Sequence, residues 1–559
     1  MTPEVDLDPA RSATANLLAI APPGCGKTEL LARRAVYLVG QLQSHQQILA
    51  LTFSNRATRN LRERLLGALG PQRFRRHVRV TNFHGHAAEI IRAHGRTIGL
   101  DPDSPMPGRS TLSTAISGYT HGMPVGLAIE RKGAIEAALS EAKRGAHDDD
   151  QVRDALALSG NAFAQEIEAE RREQGILHFD DLLRHAQRLL SVEAVARLYQ
   201  LHYGAVLVDE FQDLSSQQLA IALASSSTSR TFVGDPLQGI YSWAGARPAE
   251  VEKELRDLCG EPQRLAVSYR SSPAVLGVVN RVAAMLDGEP LHAAHPEAWP
   301  QGGAAASSVF GTGLEEAQWI VDVATKILAS NPEATIGVIT RAGWRRGPID
   351  AAFATAAHLP QQRWDLAIED SELVQRLVAA VDQLPRRADM QAVKQVVLED
   401  IDPGDVEVLE KATDALAEFE GLVAQAGTLA AAAAQLRVVN SEGAIEPGVH
   451  LLNAHTGKGQ QFDWVFVPGL EDFHIPGNRA TTREQLREEL RVVLVMLSRA
   501  RHGIIVTRAC SLISRAGNSY STTTSRWWPE VAGACSLGAD DLVLHLASLP
   551  GAQSLAADH

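Results

Sequence analysis

The chain has 559 residues, too long for one small binding module and, at roughly 100–200 residues per domain, long enough for three to five compact units. Apolar residues make up 45% and charged residues 21%, ordinary globular usage that excludes a largely disordered or collagen-like protein. With 53 basic against 66 acidic side chains the net charge is −13, so the surface as a whole repels nucleic acid and anionic membranes, and any nucleic-acid site has to be a local basic strip. The four cysteines, Cys25, Cys259, Cys510 and Cys535, form no C-x-x-C pair, which argues against a zinc ribbon or an iron–sulfur cluster; reduced thiols fit a cytoplasmic protein. The opening MTPEVDLDPA lacks the basic-then-apolar layout of a signal peptide, and no apolar run approaches the ~20 residues that cross a bilayer, so no membrane association is expected.

Short apolar, β-branched runs bounded by turn residues predict buried strands at Leu17–Ala21, Gln47–Phe53, Val78–Asn82, Ala205–Asp209, Thr231–Gly234, Thr335–Thr340, Val449–Ala454, Trp464–Pro468 and Gly503–Thr507. Segments of helical period lie between many of them, Lys27–Val39 and Arg483–Ala500 among them, as parallel sheets covered by helices require. Two stretches break the rhythm: about His86–Gly175 and about Gly347–Gly443 are rich in Ala, Leu, Glu and Arg and poor in strand signals, and read as all-helical insertions. The first also holds a loop-like patch, Asp101–Ser110, and an acidic run, Asp148–Asp150, that reads as a solvated face.

Between the first strand and the first helix stands APPGCGKT: Ala21, Pro22, Pro23, Gly24, Cys25, Gly26, Lys27 and Thr28. The glycines let successive N–H groups face inward and form an anion nest at a helix N-terminus; Lys27 then reaches the β- and γ-phosphates and Thr28 ligates Mg²⁺. A phosphate loop needs a metal-binding acid at the end of a neighbouring strand, and AVLVDEFQD places Asp209 there, with Glu210 next to it as general base for an attacking water.

APPGCGKT, LTFSNRATRNLRERL, TNFHGHA, VDEFQD, VGDPLQGIYSWAGA, VSYRSS, NAHTGKGQQFDWVFVPG and EELRVVLVMLSRAR occur in this order over essentially the whole chain, which thereby resembles the UvrD/Rep/PcrA group of superfamily 1 DNA helicases. The resemblance implies an α/β fold of two RecA-like parallel-sheet P-loop domains, each interrupted by a mainly helical insertion, with ATP and Mg²⁺ in the cleft between them. On this pattern residues 1–84 and 178–264 form the first RecA-like domain around an insertion at 85–177, residues 265–346 and 444–530 form the second around a reduced insertion at 347–443, and 531–559 are a tail. The resemblance makes Gln238 the γ-phosphate sensor and Arg270 and Arg499 arginine fingers; Tyr269 stacks on adenine and Gln461 stands near ribose. For DNA it implies Phe53, Ser54, Arg56, Thr81, Phe83 and His84 at strand tips, Tyr241 and Trp243 as a base-stacking platform, and His455, Thr456 and Lys458 linking DNA to the nucleotide. Arg56, Arg59, Arg62 and Arg64 would form the basic strip if they share one face.

The sequence departs from the family pattern at Arg11, where a glutamine usually reads adenine, at Ala244, where an arginine usually touches DNA, and at Gln461 in place of a glutamate. The resemblance implies a 3′-to-5′ translocase and helicase on single-stranded DNA or a single-strand/duplex junction. The alternative is a DNA-gated ATPase that licenses a partner nuclease with little unwinding of its own, as in anti-phage systems such as Gabija. A P-loop enzyme acting on a small molecule would leave the aromatic platform and second arginine without a role.

Overall fold

The computed structural model describes residues 9–548 except 103–111, 113–114, 117–118, 120–122, 124, 242–245, 342, 357, 365–366, 369–370, 386, 400–411, 413–414, 417–418, 424–426, 439–444, 479 and 515–516. Two six-stranded parallel sheets organise it. The first contains β1 (Asn16–Ile20), β2 (Gln47–Thr52), β3 (Val78–Asn82), β4 (Tyr203–Asp209), β5 (Arg230–Gly234) and β6 (Gln263–Arg264), in the order β3-β2-β4-β5-β1-β6. Period-two alternation divides their side chains: Leu49, Leu51, Val206 and Val208 enter the core on one face, Ile48, Ala50, Ala205 and Leu207 that on the other. Burial on both faces is why these strands read as unbroken apolar runs. The helices α1 (Lys27–Val39), α2 (Asn55–Leu69), α3 (Pro71–His77) and α4 (Phe83–His94) follow β1, β2 and β3 in the crossovers.

The second sheet runs 361–363, 448–453, 335–340, 462–468, 500–509, 304–310. Ile336, Val338, Val449, Leu451 and Phe466 fill the core on one face; Ile339, Leu452, Val465, Val467 and Val506 fill that on the other. In both sheets every strand points the same way, so all C-terminal strand ends gather on one edge, where parallel α/β sheets place their ligands.

Two sequence expectations change. The second insertion is not all helical: Gln361–Arg363 joins the main sheet beside Gly448–Asn453, and Ala367–Ile368 pairs with Arg437–Val438. A two- or three-residue strand held on one side has no need of the apolar run that marks a central strand. The acidic run is more than a solvated face: Asp148 caps the helix Asp149–Ser159, and Asp149 pairs with Arg171 and Arg184. These arginines belong to a buried ion cluster in which Lys143 Nζ lies 2.9 Å from both Glu168 and Asp181, welding the helices Val125–Ala142 and Ala162–Gln174 to Phe179–Leu190. Burial opposes the charge on Asp181, yet Lys143, Arg171 and Arg184 hold its carboxyl far below the usual range. Most of the loop expected at Asp101–Ser110 lies outside the described residues. Among the described residues no helix is long and apolar enough to cross a membrane.

Candidate active site

The Ala21 N–H extends the parallel pairing of β1 by donating to Gly234 O at 2.8 Å, and the chain then turns, with Cys25 N bonding Pro22 O at 3.1 Å. Gly24 and Gly26 take φ of +81° and +84°, the left-handed region that glycine enters without strain. A Cβ on Gly24 would stand 2.5 Å from the Cβ of Arg270 and 2.7 Å from Ser268 Oγ, so glycine is also what lets Ser268 and Arg270 close over the loop. Tyr269 N bonds Gly24 O at 2.9 Å. α1 starts at Lys27 behind an N-cap glycine with no capping side chain, which leaves its first N–H groups for an anion. Cys25 packs beside Leu276 and Leu291; burial pushes its thiol up to about 12, so its role is packing.

From the loop a continuous polar chain crosses to the second sheet. Lys27 Nζ lies 2.8 and 2.9 Å from the two carboxylate oxygens of Glu210. Glu210 itself has φ 56° and ψ 50°, an unfavourable backbone for a non-glycine residue, and Gln212 Nε2 donates to its carboxylate at 2.6 Å. Gln212 Oε1 accepts from Asp235 N at 2.9 Å, Asp235 accepts from Gln238 Nε2 at 2.9 Å, and Gln238 Oε1 accepts from Arg499 Nη2 at 3.0 Å. Arg499 also donates to Val495 O and Ser498 Oγ, and Arg270 Nη1 to Ser498 O at 3.4 Å.

The charges are poised rather than neutralised. Burial, aided by the adjacent Glu210, raises the Asp209 carboxyl well above the usual range, whereas Lys27 and Lys458 overcome burial at Glu210 and hold it below. Burial, reinforced at Arg499 by the neighbouring Arg270 charge, lowers Arg270 to about 10 and Arg499 to about 9. Among the described residues neither has a carboxylate within ion-pairing distance; Arg499 is buried, Arg270 is half-buried, and both are held by neutral oxygens. Arg270 over the phosphate-type loop and Arg499 behind Gln238, with the buried carboxylate of Asp209 nearby, fit a nucleoside triphosphate and a divalent metal. Among the described residues no cluster of three metal-ligating side chains exists.

Tyr269 is 71% exposed and meets His295 edge-on, so it is no core tyrosine and its ring is open to a ligand. Gln461 is exposed, and the carbonyl that meets Arg499 belongs to its neighbour Gln460. Arg11 ends a short 3₁₀ helix on the surface. Thr28 is half-buried in the first turn of α1.

At the strand ends, Phe53 stacks on Tyr241 with centroids 5.4 Å apart, and Tyr241 faces His455 at 6.0 Å. Lys458 Nζ sits 4.7 Å over the same ring while bonding Asp213 at 2.6 and 2.7 Å and Gln238 O at 2.8 Å. Tyr241 is therefore packed among Phe53, His455 and Lys458, and is less an open platform than a link between the aromatic surface and Gln238. Ser54 is exposed and caps α2, and Thr456 is exposed. His84 stacks on Phe179 at 4.0 Å, and Thr81 is buried. Phe83 is corrected: at 1% exposure it joins the core with Leu51 and Leu182, because the first turn of α4 faces inward. Trp243 and the side chain of Arg56 lie outside the described residues, as does Ala244. Of the proposed basic strip, Arg62 donates to Val80 O and Arg64 pairs with Glu29.

Sequence reasoning missed a second concavity, a cavity of about 330 Å³ at the C-terminal ends of Thr335–Thr340 and Phe462–Pro468. Arg341, Arg345, Phe473, His474 and Asn478 line it. Arg345 is fixed by Glu316 at 2.5 Å and Glu471 at 2.8 Å, and Phe473 is 66% exposed at a φ of +74°. A lone phenylalanine in an aperiodic loop carries no sequence signal; only the fold brings it beside the arginines.

The UvrD/REP helicase N-terminal domain family matches residues 4–258, and the UvrD-like helicase C-terminal domain family matches residues 407–511. The chain is 31% identical over 278 residues to the ATP-dependent DNA helicase PcrA of Leuconostoc citreum, a match covering 48% of this chain and 37% of that protein. It is 28% identical over 276 residues to DNA helicase II of Escherichia coli K12, covering 47% and 38% of the two chains. To the ATP-dependent DNA helicase UvrD2 of Mycobacterium tuberculosis H37Rv it is 26% identical over 547 residues, 88% of this chain and 76% of that one. The matches to the first two thus span well under half of those proteins. With an N-terminal and a C-terminal family match in chain order over two parallel sheets that share one polar cleft, this chain belongs to the UvrD-like family of superfamily 1 helicases.

Proposed function

We propose that the chain is an ATP-driven motor on single-stranded DNA, translocating 3′ to 5′ and separating duplex strands ahead of it. The observation that carries the hydrolytic half is the placement of half-buried Arg270 over the phosphate loop and of buried Arg499 on Gln238, neither within ion-pairing distance of a carboxylate among the described residues. A loose phosphoryl transition state spreads negative charge over its oxygens, and guanidinium groups already aimed stabilise it at little reorganisation cost. Thr28 and Asp209 would hold Mg²⁺, which supplies neutralisation of the phosphate charge.

Each residue then has a task. Lys27 leaves Glu210 for the phosphates, which frees the Glu210 carboxylate to take the proton of the attacking water while Gln212 keeps it oriented. Gln238 joins Asp235 on one side to Arg499 on the other and so senses whether the γ-phosphate is present. Tyr269 offers its open face to the base. Lys458 ties Asp213 and the Gln238 carbonyl to the Tyr241–Phe53 stack, so a strand that moves those rings also moves the water-positioning residue. The cavity beside Phe473 extends the DNA path over the second sheet, with a base stacked on the exposed ring; its arginines, Arg341 on Glu489 and Arg345 on Glu316 and Glu471, brace the wall. Polarity rests on the family resemblance.

A second reading, a DNA-gated ATPase that licenses a nuclease partner, rests on the reduced second insertion at 347–443 that the family resemblance implies. One experiment separates the readings: nucleotide binding, turnover and strand displacement by the wild type, Lys27→Ala and Glu210→Gln. The motor displaces strands, Lys27→Ala loses turnover, and Glu210→Gln binds nucleotide but hydrolyses it about 10²–10⁴-fold more slowly. Turnover without displacement supports the gated ATPase, and normal turnover by Glu210→Gln removes it as the base.

A further inference from the structure

Residues 55–79 carry eight arginines and one glutamate in a chain of net charge −13. The ATP site uses none of them, and the strand tips claim only Arg56. Arg62 is spent on Val80 O, Arg64 on Glu29 and Arg79 on Glu89. Arg73, Arg75 and Arg76 on α3 are exposed; Arg75 Nε donates to Pro71 O at 3.3 Å, and among the described residues no carboxylate lies within ion-pairing distance of any of the three. α3 is fixed from beneath: Phe74 packs against the first sheet's core, His77 Nδ1 lies 3.2 Å from Gln46 O, and Gln47 Nε2 donates to Arg76 O at 3.2 Å. Those anchors put α3 at the N-terminal end of β2, the sheet edge opposite Phe53. α2, whose 15 residues span about 22 Å, runs between the two edges.

We infer that α3 is a second, sequence-independent binding surface for the phosphodiester backbone of DNA that extends beyond the strand-tip site. The inference rests on the proposed DNA motor. Three uncompensated guanidinium groups on a packed helix match phosphate chemistry: the planar fork takes two phosphate oxygens at once, and each contact releases a condensed cation. Neighbouring like charges on a short helix repel one another by a few tenths of a kcal/mol per pair, a cost that a polyanion offsets. With a screening length of about 8 Å at physiological ionic strength, the acidic remainder of the surface does not cancel the patch. The same chemistry fits a single-stranded tail or a duplex, and the two are told apart by the DNA supplied.

The test uses the full chain and a Arg73→Gln/Arg75→Gln/Arg76→Gln variant, with equilibrium binding measured across salt concentrations. The probes are a short single strand that fills only the strand-tip site, a long single strand, and the short strand joined to a duplex. On the probe that reaches α3, the plot of log affinity against log salt should become shallower by about 2–3 and binding at physiological salt should weaken roughly tenfold, while the short strand is unaffected. The probe that responds identifies single strand or duplex. The matching triple lysine variant should keep most of the affinity, since it keeps the charge. Unchanged affinity and slope on all probes, or a fall in the DNA-free ATPase rate of the glutamine variant, would overturn the inference. A wild type that binds none of the DNAs would instead overturn the motor reading itself.

Discussion

Replacing Arg499 with Met should abolish hydrolysis while leaving the nucleotide-free fold nearly as stable as before. Arg499 is 2% exposed, and burial lowers it from 12.5 to about 9. At about 1.4 kcal/mol per unit, its charge costs the empty protein on the order of 4–5 kcal/mol, which methionine removes. Against that, Gln238 Oε1 and Gln460 O each lose a donor, at about 1–3 kcal/mol apiece, whereas Val495 O and Ser498 Oγ keep the bond between them. Two such losses, about 2–6 kcal/mol together, nearly offset the relief, so thermal unfolding should shift by no more than about 3 kcal/mol in either direction. Catalysis has no such compensation: losing an arginine finger lowers kcat by about 10³–10⁵. Single-turnover ATP hydrolysis, binding of a fluorescent nucleotide and thermal denaturation measure the three quantities. A kcat within tenfold of wild type would show that Arg499 supports the fold rather than the transition state, and the cleft mechanism would fail with it.

Tyr269→Ala removes the exposed ring proposed to stack on the base, so the nucleotide KM should rise roughly tenfold with kcat within twofold, matching about 1–3 kcal/mol of stacking; steady-state kinetics decide, and an unchanged KM removes the role. Phe473→Ala should weaken single-stranded DNA binding by about 1–3 kcal/mol and leave the DNA-free ATPase rate alone, as anisotropy titration and turnover assays would show. His86, fully buried 3.2 Å from Ser225 Oγ, is lowered by burial to about 3. Its contribution is therefore complete above the ordinary histidine value and is lost as pH falls toward 3. Linkage gives a loss of about 2 kcal/mol between pH 7.5 and 5, which His86→Gln should eliminate in denaturant titrations at the two pH values.

Much of the fold was legible because both sheets are buried on two faces: Ile48–Leu51 and Ala205–Val208 have to be apolar throughout, and glycines and acids mark where each strand stops. The strand Ala304–Phe310 has no strand signal over its first five residues, which are all Ala or Ser, and its single β-branched residue, Val309, comes too late to mark it. The residues along the cleft were legible as motifs, but their connection was not. Nothing in the sequence says that Gln212 joins Glu210 to Asp235, or that Lys458 reaches Asp213 across 245 positions. Phe83 misled because a phenylalanine between a strand tip and a helix serves a ligand or a core equally well, and the choice depends on which way the first turn of α4 faces. Arg73, Arg75 and Arg76 were visible as letters, but their exposure on a separate short helix was not.

The measurement that bears most directly on the central claim is steady-state ATP hydrolysis by the full chain with and without single-stranded DNA, with Lys27→Ala as the blank. The cleft and its link to the Phe53–Tyr241 stack predict turnover that DNA stimulates strongly and that Lys27→Ala abolishes. Turnover indifferent to DNA, or equal in the Lys27→Ala protein, would contradict a nucleic-acid motor built on this site.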